Sequence, residues 1–97
     1  MGFMFVLHVV MQVKPGQLPA LEELFRGPFR AAISPQPGFK DVQLLKPQQG
    51  EGDPILAIRF ETQALQQQWV ASDLHGQLWP RMEALLSGYS LALFTAA

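Results

Sequence analysis

The stretch "FMFVLHVVMQV", Phe3 to Val13, decides the architecture of this chain. On an extended backbone Phe3, Phe5, Leu7, Val9, Met11 and Val13 point one way, and Met4, Val6, His8 and Val10 point the other. Both sets are apolar but for His8. Such a run of aliphatic and aromatic residues is a strand covered on both faces. It is too short to span a bilayer, and it lacks the charged leader and small-residue cleavage pattern of a signal peptide. "KPG", Lys14 to Gly16, turns the chain out of it.

Working outward, Leu18 to Ile33 reads as a helix. Leu21, Leu24, Phe25, Pro28, Phe29 and Ala32 recur at spacings of three and four and form one apolar stripe. Pro28 cannot donate to the carbonyl of Leu24, so a kink is expected there. "SPQPG", Ser34 to Gly38, ends the helix. Phe39–Leu45 and Ile55–Phe60 read as strands joined by the polar loop Lys46 to Pro54. Thr62 caps a helix that turns Leu65, Trp69 and Val70 inward. Ser72-Asp73 breaks it, and either residue can cap a following helix from about Leu74 to Leu86, bent at Pro80. Ser87-Gly88 stops that helix, and Tyr89 to Thr95 is the last strand. Strand, helix, strand, strand, helix, strand is the ferredoxin-like βαββαβ pattern: an α+β fold, with a four-stranded antiparallel sheet and helices on one face. At 97 residues the chain reads as one domain, 1–97.

Composition removes several function classes. There is no cysteine, hence no disulfide framework and no thiolate nucleophile or metal ligand; a reducing cytoplasm fits. Seven basic and eight acidic residues leave a net charge of −1. That gives no basic footprint for nucleic acid and no polybasic membrane patch. Two separated histidines and no tight carboxylate cluster offer no recognisable metal spacing. The face of the sheet away from the helices carries Met4, Val6 and Val10, with Phe94 or Leu93 depending on register. A bare face of this kind exceeds the few hundred Å² of apolar patch that monomers expose. A second copy packed sheet to sheet hides it, so a homodimer is expected. Gln12, Gln43 and Arg59 on the same face would make it less apolar. His8 then faces the partner sheet, best read as a satisfied interface histidine.

The segments "FVLHVVMQVKPGQLPALEELF", "PGFKDVQLL" and "ILAIRFETQALQQQWVASDLH" together resemble the antibiotic biosynthesis monooxygenase domain family. The resemblance covers nearly the whole chain and rests on the order and spacing of motifs that are individually weak. It implies a homodimer whose sheets pair into an α+β barrel. It also implies one of several activities: oxidation of phenolic or quinol substrates by dioxygen without metal or flavin, haem degradation, processing of small signalling molecules, or none.

The resemblance places a pocket tryptophan at Trp69 and a histidine or tyrosine at His75. On an unbroken helix six residues turn about 600°, leaving the two side chains about 120° apart. The break at Ser72-Asp73 lets both face one cavity. Cofactor-free oxygenation needs a deprotonated, electron-rich substrate, and imidazole is a base in the right range. Trp69 would supply wall and an indole N–H, with Trp79, Phe25, Phe29 and Val9 completing the pocket. The plainer readings stay open: Trp69 as core alone, and His75 as a side chain hydrogen-bonded to nearby backbone or to Asp73.

The haem-degrading branch of the resembled family uses a first-strand asparagine with a tryptophan and an axial histidine. This sequence has no asparagine among its 97 residues, against eleven glutamines, and the corresponding position falls at or near Val9. The expectation is therefore a cofactor-independent monooxygenase acting on a phenolic, quinol or polyketide-like aromatic, with no metal and no cofactor. The alternatives are a non-catalytic dimer that binds a small apolar ligand and, third, a haem-binding or haem-degrading protein.

Overall fold

The structure is a computed structural model, and it describes residues 3–50 and 52–97. Four strands, β1 (Met4–Val13), β2 (Phe39–Leu45), β3 (Ile55–Phe60) and β4 (Leu86–Ala96), form one antiparallel sheet in the order β2-β3-β1-β4. The helices are α1 (Leu18–Leu24), α2 (Arg30–Ile33), α3 (Gln63–Val70) and α4 (Asp73–Glu83); a π turn, Phe25–Phe29, joins α1 to α2. This is the expected ferredoxin-like α+β order. Glu51 of the β2–β3 loop lies outside the described residues.

Register assigns the two sheet faces. Phe5, Leu7 and Val9 pair with Phe60, Ile58 and Leu56 on one side and with Thr95, Leu93 and Leu91 on the other. Opposite residues in an antiparallel ladder share a face, so this set looks toward the helices. There it meets Leu21, Phe29, Ile33, Trp69 and Met82, each at most 1% exposed. The outer face carries Val6, His8 and Val10 with Arg59, Ala57 and Ile55, and with Phe94, Ala92 and Ser90. Phe94, not Leu93, is therefore the outward residue of β4.

Four boundaries differ from the sequence reading. Phe3 is 65% exposed and precedes β1. Pro28 is exposed and leaves the apolar stripe, because the chain meets its missing N–H with a π turn: the Arg30 N–H donates to the Phe25 carbonyl, five residues back. The last helix ends at Glu83, and it continues through Pro80, whose position faces solvent. β4 begins at Leu86, since Val13 pairs with Leu86 beyond an irregularity at Gln12 and Val13; Gly88 lies inside the strand and does not stop the helix.

Gly38 fixes the start of β2 against α3. Its φ is +78°, and a Cβ there would fall 2.5 Å from Leu65 Cδ1. Only glycine meets both conditions. Lys46, just past β2, donates to Glu22 of α1 at 2.8 Å and holds that carboxyl below its ordinary range.

Candidate active site

The site grows from the joint between α3 and α4. Thr62 caps α3, its hydroxyl accepting from the Leu65 N–H at 3.1 Å. Ser72 works in both directions. Its hydroxyl donates to the Trp69 carbonyl at 2.6 Å and accepts from the His75 N–H at 3.3 Å. One side chain thus closes the last turn of α3 and opens the first of α4. Asp73, within that first turn, suits the positive end of the helix.

The break brings the two candidate residues together. The rings of Trp69 and His75 meet edge to face, 5.2 Å between centroids. One turn on, Trp79 stacks on His75 at 6.3 Å and meets Tyr89 of β4 at 5.1 Å. On the far side Phe29 meets Trp69 at 5.9 Å. Between these rings and the sheet lies a cavity of about 280 Å³. Leu7, Val9, Leu56 and Ile58 form its floor, and Gln66, Val70 and Leu91 border it toward β4.

Trp69, His75, Trp79, Phe29 and Val9 all line this cavity. Phe25 does not, which corrects the sequence expectation. It is buried, but it stacks beyond Phe29 at 6.5 Å under the Arg30 guanidinium, and it opens on a separate groove with Glu22, Arg26 and Leu44. The extra residue of the π turn separates two positions that a regular helix would place on one stripe. Sequence reading missed Tyr89 and Gln66. Tyr89 follows a glycine at what reads as a strand start, and Gln66 begins a run of three glutamines that carries no periodic signal.

The electrostatics are those of an apolar pocket. Among the described residues no Asp, Glu, Lys or Arg lines it. Loss of hydration pushes the His75 imidazole below its ordinary value of 6.5, toward the neutral base. Only the backbone of His75 is hydrogen-bonded, to Ser72; among the described residues its ring has no partner, so neither backbone nor Asp73 satisfies it. Trp69 is 1% exposed, and its indole N–H likewise finds no acceptor among the described residues. None of their side-chain nitrogens or oxygens is both sealed from open space and unpartnered. The indole N–H is therefore not sealed, and Trp69 lines the cavity. Among the described residues no group of three or more His, Asp or Glu could hold a metal ion, and no helix is long and apolar enough to cross a membrane.

Comparison with solved structures finds this fold repeatedly. A conserved protein from Methanosarcina mazei matches with a TM-score of 0.86 at 12% identity, over 98% of this chain and 94% of that one. A candidate antibiotic biosynthesis monooxygenase from Caulobacter crescentus matches with a TM-score of 0.85 at 15% identity, over 99% and 92%. The haem degrader MhuD from Mycobacterium tuberculosis, with two haems in its active site, matches with a TM-score of 0.73 at 26% identity, over 96% and 95%. No curated protein sequence matches. The profile of the antibiotic biosynthesis monooxygenase family matches residues 4–79. By that match the chain belongs to the antibiotic biosynthesis monooxygenase family.

Proposed function

We propose that this protein is a cofactor-independent monooxygenase for a small phenolic or quinol aromatic, and that it works as a homodimer joined through the outer sheet face. The observation that carries the reading is a neutral, unpaired imidazole between two indoles in an apolar cavity. His75 takes the phenolic proton at its ring nitrogen. The phenolate passes an electron to dioxygen, and the two radicals join at the para carbon as a peroxide. Loss of water then leaves the quinone. One phenol and one dioxygen give one quinone and one water, so one oxygen atom enters the ring and the other leaves reduced. The Trp69 N–H steadies the oxygen anion, and the apolar walls keep water from the peroxide.

The likeness to MhuD raises haem as a ligand. The residues of this cavity do not fit that group. Val9, only 4% exposed, fills the floor with an apolar side chain at or near the position where the haem-degrading branch carries asparagine. Trp69 and Trp79 flank the His75 ring.

The test is oxygen uptake. Purified protein given 1-naphthol under air should consume one dioxygen per 1,4-naphthoquinone formed, and His75→Ala should lose most of the rate. If naphthols and quinols quench tryptophan emission and no oxygen disappears, the protein is a ligand carrier and the proposal fails.

A further inference from the structure

The cavity continues past Gln66. A second depression runs along β4, between Gln63, Gln67 and Ala71 on the helix side and Phe5, Leu91 and Leu93 on the sheet side. The two hollows share Leu7, Gln66, Val70 and Leu91. The two adjoin at these four residues, which form the neck between an inner and an outer compartment. The inner compartment is aromatic. The outer one is largely aliphatic, and its β4 wall stands open, with Leu91 57% and Leu93 52% exposed.

The neck has one polar side chain. Gln66 is 6% exposed, the sole polar residue in the buried class among the described residues. Its carboxamide has no hydrogen-bond partner among them, although buried amides are normally paired. Since no side-chain nitrogen or oxygen among them is both sealed and unpartnered, this amide also looks onto open space. Gln66 lines both compartments of the cleft.

We propose that Gln66 sets ligand specificity at the neck. It selects a molecule that carries an oxygen function where an aromatic ring, held in the inner compartment, joins an apolar extension along β4. A carboxamide offers both a donor and an acceptor. It can therefore donate its N–H to the phenolic oxygen while that hydroxyl gives its proton to His75, and donate again to the carbonyl that replaces it on oxidation. The inference rests on the aromatic cavity of the proposed function, but it concerns binding and needs no turnover.

The test is an anaerobic titration of tryptophan emission from the whole protein with naphthalene, 1-naphthol, 2-pentylnaphthalene and 2-pentyl-1-naphthol. The native chain should bind each hydroxylated probe about five- to tenfold tighter than its parent, the usual worth of one hydrogen bond. Gln66→Leu should erase that preference; it exchanges a buried amide for an apolar chain of similar size, and Gln66→Met is a second such exchange. The pentyl chain should add tenfold or more in the native chain, since a buried methylene is worth about fourfold. Ala71→Phe, which crowds the outer compartment, should remove most of that gain. The proposal is overturned if both Gln66 variants keep the full hydroxyl preference, or if the chain adds nothing to native binding. Oxygen uptake without a Gln66-dependent preference would sink this inference alone. The preference without oxygen uptake would sink only the monooxygenase.

Discussion

His75 is where a change in pH should be read. Burial lowers its pKa from 6.5, so the folded protein keeps the neutral base to lower pH than a free imidazole would. The oxidation rate should be flat near neutrality and should fall on acidification, with an inflection below 6.5. His75→Ala should cut the rate by about 10²–10⁴, the usual range for a positioned base, and remove that inflection. Stability follows the same group. The unfolded chain protonates this histidine first, so between 6.5 and the lower folded value the unfolded state holds more protons. Stability therefore falls as pH drops through that window, and below both values the loss is complete. His75→Gln should flatten this part of a denaturation series against pH. An unchanged slope would mean that the imidazole is hydrated and no different from a surface histidine.

At the scale of elements, two short connections position the site. Ser72 bonds both helices at their joint, so Ser72→Ala should cost about 1 kcal/mol in chemical denaturation, as cap losses do. It should also slow oxidation beyond any change in binding, because His75 loses its anchor. The turns give a paired comparison. Gly16 and Gly38 both have positive φ, +77° and +78°, but a Cβ at Gly16 meets nothing within 4 Å while one at Gly38 strikes Leu65. Gly16→Ala should therefore cost about 1 kcal/mol from backbone strain alone. Gly38→Ala should cost about 2 kcal/mol or more, since Leu65 must also move. Equal costs would mean that α3 gives way without loss. These connections also mark what the sequence could tell. All four strands were legible, because alternation and β-prone composition are local signals. So was the joint of α3 and α4, because Ser72 announces a cap. The π turn was not: Pro28 says that an α-helical bond is missing, not how the chain makes it good. One unbroken apolar stripe through Pro28 puts Phe25 in the pocket, and it lies outside. Gln66 was hidden because Gln66, Gln67 and Gln68 look alike in sequence. Only the packing of α3 on the sheet decides which one faces the cleft.

At the scale of the whole molecule, the sheet has a bare side. The shortest extent is 19 Å, room for two layers, since packed layers lie about 10 Å apart. Helices fill one of them, and among the described residues nothing covers the other. Val6 is only 5% exposed even so, shielded by its own neighbours, so an Asp there would unfold the protomer and report nothing about assembly. Phe94 is the better probe. It lies on the outer face 5.0 Å from the His8 ring and is 48% exposed, so a charge there costs the isolated protomer little. If two sheets pack face to face, that charge would be buried without a partner and the pair would separate. Light scattering should give the native chain twice its 10.8 kDa at micromolar concentration, and Phe94→Asp 10.8 kDa with unchanged circular dichroism. Leu74→Asp, a control of similar exposure on α4, should stay paired. A native mass of 10.8 kDa, or a Phe94→Asp protein that remains paired, would place the interface elsewhere or remove it. The cavity would then have to work within a single protomer, on the opposite face of the sheet from any contact.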